Sequence, residues 1–581
     1  MRRVCLGVLI CLLAASVPAI AQTKPKVPPK PAPAPTAPAP AKPAPAPAAP
    51  VESPVDAFLK TRALEQSYNA VLLRYLLEEG RPKLTPVQHK LALDQIVARF
   101  KTEIDIKPST KAAASLAALA GLLTPGVVGE GISAGAGSVW QSWVDAANLL
   151  VKAGYAAEAS PFLENCLRTN PYPELRSRCT VGFAAANPGQ ALTILTALLD
   201  KKNPEDVINT SLRLLGDLAG AEGCPPEQHD AAVKEMIART QGMMNNIFYE
   251  AAIDGLERSK DPRGVEPIRK LTGGMNAPEV KRAAKRALLL TFKDPAIVEV
   301  LRKDAKGGMM KTEDDKFFAA TLLIRAGDEA GFAYAKDQLT KKKGGFFSSN
   351  KETDYRPAIV QVLADFGGPP AIPVLQAGLA LQKPDEWLRA YMAIALLELG
   401  DKTGIDDARR ALGVSNWTHT RLRAAEGLAK HGDASGVPVL KAMAQDPGFL
   451  KKAVDVIGGK EIDYDAMRAA IARSLGRMNL PDAVPVLATL VADKSEEVRL
   501  AAAYALVGMT DASALEAYGA AMAQDYGRDG ERARTPEVVA HLVRMATLQF
   551  GQDPRTKPLL DQAGKSEMAT VRFLALVAGK P

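Results

Sequence analysis

The side chains that could ligate a metal or attack a substrate are few and scattered. The five histidines are His89, His229, His419, His431 and His541. None precedes a glutamate, and none stands at metal-ligand spacing from a second histidine or a cysteine. No Cys-x-x-Cys pair occurs. No Walker loop, Gly-x-Ser-x-Gly elbow or Gly-x-Gly-x-x-Gly turn sits in the strand-to-helix setting that gives such motifs their chemistry. Gly126-Val127-Val128-Gly129-Glu130-Gly131 is glycine-rich, but no strand pattern precedes it. The carboxylate pairs Asp314-Asp315 and Asp406-Asp407 read as solvated helix ends. The expectation is a chain with no catalytic residues, no metal and no cofactor.

Cysteine usage adds one question. Cys5 and Cys11 fall in the extreme N-terminal segment, leaving Cys166, Cys179 and Cys224, so at most one intrachain disulfide can form. Cys166 and Cys179 could meet across a helix hairpin. The simpler reading makes all three small buried hydrophobes.

Composition says what must position these groups. A chain of 581 residues is too long for one compact core, so it holds several domains or one elongated array. Apolar residues make up 47% but aromatics only 5%, and Ala and Leu dominate. That mixture suits helices packed through small side chains better than sheets. The net charge of +8 includes Arg2, Arg3, Lys24, Lys26, Lys30 and Lys42, so the rest of the chain is nearly neutral. Nucleic-acid binders concentrate positive charge on the folded part, so nucleic acid is not an expected partner.

Residues 1–21 have the three-part layout of a secretory signal. Arg2 and Arg3 open it, an apolar run follows from Val4 to about Ala15, and Ala19-Ile20-Ala21 is a small-x-small site. Cleavage is expected between Ala21 and Gln22. The apolar run is too short for a comfortable membrane span, and no integral span is expected in the mature chain. Residues 23–54 then hold thirteen prolines and nine alanines. Proline fixes φ and removes the amide donor, so residues 22–54 are expected to be a disordered Pro/Ala-rich linker of polyproline II character. Its reach is on the order of 100 Å. Its four lysines would give it weak attraction to cell wall or other anionic envelope polymers.

Repetition organises the remainder. Ile372-Pro373-Val374-Leu375, Val437-Pro438-Val439-Leu440 and Val484-Pro485-Val486-Leu487 are versions of one tetrapeptide. An aliphatic-base dyad recurs at Leu175-Arg176, Val280-Lys281, Leu388-Arg389, Leu422-Arg423, Met467-Arg468, Val498-Arg499 and Val571-Arg572. The two motifs keep register: Pro267 to Val280, Pro485 to Val498 and Pro558 to Val571 are each thirteen residues. The gaps 175–280 and 280–388 would each hold about three units. In the unit Pro481–Thr510, Asp482 could cap a first helix whose first turn contains Pro485. Val484, Leu487 and Leu490 or Val491 then share a face. After a break at Asp493-Lys494-Ser495, a second helix places Val498, Ala502, Ala505, Leu506 and Met509 on one side and stops near Gly508. Two such short helices must stack on neighbouring copies to bury their faces.

This pattern resembles HEAT repeats, especially the short HEAT-like type of phycobilin lyases. The resemblance is good over about 260–510 and 552–581, weaker over 155–255, and absent over 55–150. It implies an all-α fold, a right-handed α-α superhelix over 151–581. It also implies structural roles in a polar ladder between repeats for Asp493, Arg499, Arg389 and Arg423. The His-Glu pairs by which one HEAT-type enzyme family holds two irons are missing. Residues 55–150 read as an N-terminal helical region, with helices over Val55 to Glu79 and Pro86 to Phe100 and an Ala/Gly-rich stretch over 112–139. Three insertions interrupt the rhythm. Lys341, Lys342 and Lys343 lead into Phe346 and Phe347, a candidate interaction loop whose alternative is a mobile segment with its aromatics folded back. Residues 447–464 leave a helix start near Phe449 or near Asp463 equally open. Residues 524–535 read as a charged loop.

The function expected is a non-enzymatic exported scaffold, in the periplasm or at the cell surface, that binds protein partners through its solenoid surface. An enzyme accessory subunit and an envelope structural component are the competing readings.

Overall fold

The computed structural model describes residues 53–66, 70–79, 83–103, 144–169, 173–242, 247–308, 311–341, 354–381, 386–414, 418–446, 464–529 and 532–579. The expected cleavage site at Ala21 and Gln22, the linker, the 112–139 stretch and Lys342, Lys343, Phe346 and Phe347 lie outside them. Among the described residues the fold is all-α apart from one two-residue bridge, Arg528–Asp529 with Arg532–Ala533.

Among the described residues four helices come first: α1 (Pro54–Lys60), α2 (Ala70–Arg74), α3 (Pro86–Glu103) and α4 (144–152). Helix pairs then follow. They are α5 (Ala156–Thr169) with α6 (Pro173–Ala186), α7 (Pro188–Ala197) with α8 (Glu205–Ala219), α9 (Pro226–Ala238) with α10 (Tyr249–Ser259), and α11 (Val265–Leu271) with α12 (Pro278–Leu290). Next come α13 (Pro295–Lys306) with α14 (Glu313–Arg325), α15 (Glu329–Thr340) with α16 (Arg356–Val362), α17 (Ala371–Leu379) with α18 (Glu386–Glu398), and α19 (Ile405–Val414) with α20 (Thr418–Ala429). The last are α21 (Gly436–Gln445) with α22 (Tyr464–Met478), α23 (Val484–Leu490) with α24 (Glu496–Gly508), α25 (Leu515–Met522) with α26 (Thr535–Phe550), and α27 (Thr556–Gly564) with α28 (Ala569–Ala578). Each second helix packs on its own first helix and on the second helices of neighbouring pairs.

The repeated tetrapeptide places its proline in the first turn of the first helix, as at Pro373 in α17, Pro438 in α21 and Pro485 in α23. The missing amide is harmless there, because first-turn donors have no intrahelical acceptor. Asp482 does not cap α23: it lies inside a 3-10 turn, Pro481–Ala483, that precedes the helix. The faces foreseen in this unit are buried, with Leu487, Val491, Val498, Ala502, Leu506 and Met509 all fully covered. Between Leu175 and Val280, and again between Val280 and Leu388, the second helices advance by three pairs. Helix α22 is described from Tyr464, beside the later of the two expected starts, and the start near Phe449 lies outside the described residues. The segment 524–535 is more than a charged loop: Tyr526 is fully buried, and its hydroxyl donates to the Ala521 carbonyl at 2.7 Å.

One expectation about the N-terminal region is corrected. A continuous helix from Val55 to Glu79 does not form: α1 stops at Lys60, and Arg62 takes a left-handed φ of 54°. Residues 53–581 make one compact unit. Val55, Leu59, Leu72 and Leu76 share a hydrophobic cluster with Val571, Phe573 and Leu574 at the other end of the chain. The Phe58 and Phe573 rings lie 5.4 Å apart, and Lys83 Nζ donates to the Ala578 carbonyl at 3.1 Å. Helix α2 packs on α26 and α1 on α28. On the other side, the Tyr155 hydroxyl reaches Asp94 on α3 at 3.5 Å. The N-terminal helices therefore cover the last repeat, whose outer face would otherwise stand in water.

In the weakly patterned region, close packing replaces the repeat motif. A Cβ added to Gly216 of α8 would fall 2.6 Å from the Gly255 Cα of α10. Only glycine on both helices permits this crossing. Gly216→Ala is expected to destabilise the fold by about 1–3 kcal/mol, the usual cost of overpacking, read as a lower Tm by calorimetry. An unchanged Tm would mean that α8 and α10 can separate freely.

Candidate protein-interaction surface

The turns between repeats fix the register on which any surface depends. The second helices α14, α18 and α20 each end at a glycine with positive φ, at Gly327, Gly400 and Gly432. Asp328, Asp401 and Asp433 follow, and their amides bond back to the carbonyls of Leu323, Leu396 and Leu428 at 2.9, 2.9 and 3.1 Å. This closes the helix in a Schellman-type turn. The same aspartates open the next first helix: Oδ1 accepts from the amides of Ala330, Thr403 and Ser435 at 3.0, 2.8 and 2.9 Å. Lys260-Asp261 and Lys293-Asp294 repeat the arrangement, with lysine taking the left-handed position at φ 57° and 55°.

The remaining oxygen, Oδ2, receives a side chain from the first helix of the preceding repeat. His229 Nε2 meets Asp261 at 2.8 Å, Arg269 Nη2 meets Asp294 at 3.0 Å, and Arg302 Nη2 meets Asp328 at 2.6 Å. Gln376 Nε2 meets Asp401 at 3.1 Å and Arg409 Nε meets Asp433 at 2.7 Å. Hydrogen bonds from the Arg302 side chain and the Ala330 amide hold Asp328 below the usual carboxylate range against the opposing effect of burial.

The residues expected to form the ladder take related but different roles. Arg499 does not pair with the Asp493 carboxylate. Its Nη1 donates to the carbonyls of Asp493 and Lys494 at 2.8 and 3.0 Å, and its Nε to that of Asp525 in the next repeat at 2.8 Å. Arg572 caps its own turn in the same way, through Ser566 and Glu567. The Asp493 carboxylate is bound by Arg468 from the preceding repeat, which also holds Asp465 at 2.6 Å. Arg389 Nε pairs with Asp407 at 2.6 Å, and Asp407 is buried. The reading of Asp407 as a solvated helix end is thereby corrected. Cys166 and Cys179 form a disulfide joining α5 to α6, and Cys224 is a free, half-buried thiol. Of the candidate interaction loop, only Lys341 is described, as the extended residue that ends α15.

The second helices carry a further set of ion pairs from repeat to repeat. Arg178 meets Asp145 at 3.0 Å, Arg258 meets Asp217 at 2.7 Å, and Arg213 meets Asp254 at 3.1 Å. Arg286 bridges Asp254 and Glu257 at 2.7 and 3.1 Å. Arg423 reaches Glu398 at 3.0 Å and, two repeats back, Gln361 at 2.6 Å. Arg477 meets Glu426 at 2.6 Å. These contacts line much of the face that the second helices form. Sequence spacing did not reveal them, because each partner lies on a different repeat. The Gly-Asp dipeptides at 327–328, 400–401 and 432–433 were the legible signal for the turns. A shallow groove between α7 and α9 is lined by Leu192, Thr193, Thr196, Lys234 and Glu235. Among the described residues no helix is long and apolar enough to cross a membrane.

A family model for HEAT repeats matches residues 378–455 and 463–534, and these stretches are HEAT repeats. Yeast importin-beta is similar at 12% identity and a TM-score of 0.38, over 86% of this chain and 72% of that one. A UNC-45 chaperone that binds and folds muscle myosin is similar at 14% identity and a TM-score of 0.24, over 90% and 77%. Human deoxyhypusine hydroxylase is similar at 15% identity and a TM-score of 0.20, over 58% and 98%. No curated protein matches the chain.

Where the N-terminal helices meet the last repeats, His541 of α26 stands 6.0 Å from the Tyr504 ring of α24. Burial, together with the nearby Arg544 and Arg74 guanidiniums, lowers its pKa from 6.5 to about 4. The unfolded chain thus binds a proton between pH 6.5 and 4 that the folded chain refuses, so stability falls as pH drops through that window. His541→Gln is expected to flatten the Tm profile between pH 6.5 and 4. Parallel profiles for the two proteins would place the acid sensitivity elsewhere.

Proposed function

We propose that this HEAT-repeat solenoid is a non-catalytic scaffold, exported from the cytoplasm, that binds protein along the face of its second helices. The observation that carries the reading is the succession of pairs among the described residues from Ala156 to Ala578, with ion pairs joining neighbouring second helices. Stacked repeats present a long surface suited to an extended partner. Ion pairs along that face favour specificity and encounter rate more than raw affinity. Export is supported by the signal layout of residues 1–21 and by the Cys166–Cys179 disulfide, a bond that persists in oxidising compartments.

Crosslinking in the native envelope, followed by capture of the mature chain, is expected to recover a defined protein partner. Recovery of abundant background proteins alone would overturn the scaffold reading. The mature chain is expected to begin at Gln22 and to show one reactive thiol, Cys224, before reduction and three after it, by mass spectrometry with thiol labelling. A chain beginning at Met1 with all its cysteines free would overturn export. Cys166→Ser with Cys179→Ser is expected to cost up to about 3 kcal/mol, the loop-closure value for a ring of this size.

A further inference from the structure

One arginine on the second-helix face departs from the pattern of its neighbours. Arg258, Arg282, Arg286, Arg423 and Arg477 each hold a carboxylate on an adjacent helix. Arg325, at the end of α14, has no carboxylate partner among the described residues. Its guanidinium lies over the Phe366 ring instead, 4.5 Å from the centroid. Arg325 is exposed, and Phe366 is 48% exposed.

The backbone is shaped to present that ring. Helix α16 passes into a π-helical turn, Leu363–Gly367, and Phe366 points outward while Leu363, Ala364 and Gly367 stay buried. Gly368 follows at φ 55° and ψ −151°, a region essentially closed to other residues. Single π turns are costly and concentrate at functional sites. Burial and the like charge of Arg286 both work against the Arg325 charge, with Glu257 only partly offsetting them.

We infer that Arg325 and Phe366 form a docking point for an acidic, extended segment of a partner protein. A partner carboxylate takes the free donor edge of the guanidinium, and an adjacent apolar side chain covers the open face of the Phe366 ring. Arginine and aromatic side chains dominate binding energy at protein interfaces, and stacking on the ring holds the guanidinium plane fixed for two-pronged carboxylate recognition. A guanidinium with no carboxylate of its own, set among neighbours that each hold one, selects a carboxylate over a neutral or basic side chain. The inference rests on the scaffold reading and narrows it to one point on the face and one partner chemistry.

The probe is a fluorescein-labelled twelve-residue peptide repeating Glu-Phe-Glu-Gly, titrated by anisotropy against the full mature chain at low and high salt. Glutamine and lysine versions of the peptide serve as controls. The glutamate peptide is expected to bind, to weaken with salt, and to prefer the chain about tenfold or more over both controls. Arg325→Ala and Phe366→Ala are each expected to weaken it about tenfold, with Arg325→Lys between them and the parent. Both sites are exposed, and an unchanged thermal melt confirms folding of each variant. No binding of the glutamate peptide, equal binding of the controls, or equal binding to Arg325→Ala would overturn the docking point. A native partner crosslinked equally to the parent and to Arg325→Ala would overturn it too, yet leave the scaffold reading standing. Absence of any crosslinked partner for the parent would instead sink the scaffold reading.

Discussion

A single carboxylate at each inter-repeat turn sets the geometry on which everything else depends. Asp328 shows the arrangement most completely: its amide closes α14, its Oδ1 opens α15, and its Oδ2 takes Arg302 from the helix before. One residue thus satisfies an orphan carbonyl with its amide, and an orphan amide and a guanidinium with its side chain. Asparagine there would lose the ion pair, and glutamate would be too long to cap its own turn. The same three-way contact at Asp294 and, with glutamine supplying the third bond, at Asp401 keeps successive first helices at one spacing. The second helices inherit that spacing, and with it the register of their own ion pairs.

Local features were legible in the sequence, and features joining distant residues were not. The thirteen-residue interval between proline and aliphatic-base dyad reports a helix, a turn and a helix start, all within one unit. It therefore located α23 and α24 and correctly gave three pairs between Leu175 and Val280. The polar ladder was anticipated, but its wiring was not. Arg499 follows Asp493 closely enough to suggest a pair, whereas the structure sends Arg499 to main-chain carbonyls and gives the Asp493 carboxylate to Arg468 of another repeat. Asp261 and Asp294 were hidden for a different reason. The left-handed residue before them is lysine, so the Gly-Asp signal that marks Asp328, Asp401 and Asp433 is absent.

The ion pairs on the second helices bear on how the face meets a partner. A guanidinium already shared between two carboxylates, as Arg286 is between Asp254 and Glu257, has little left to offer a ligand. Disrupting it would leave charge unpaired at partial burial, which costs more than a new contact returns. Most of this polar strip is therefore a fixed, nearly neutral surface. On the scaffold proposal, binding energy would come from the few groups left unsatisfied or apolar along it, and these are unevenly distributed.

Closure of the ends bears on which surfaces are available at all. An open array leaves the apolar flank of its last repeat exposed unless a polar cap covers it. Here the cap comes from the opposite end of the chain: Phe58 packs on Phe573, Lys83 bonds to the Ala578 carbonyl, and Leu59 and Leu72 enter the same cluster as Leu574. The region that lacked any repeat motif lacks it because its work is different. Its helices must fit the flank of the final repeat on one side and approach Tyr155 through Asp94 on the other, so they cannot carry the identical faces that make repeats stack. With that flank occupied by the chain itself, end-on addition of a further repeat or of a second copy has no apolar surface to use there. The helix faces, with the charged network and its exceptions, are what the scaffold proposal leaves for a partner.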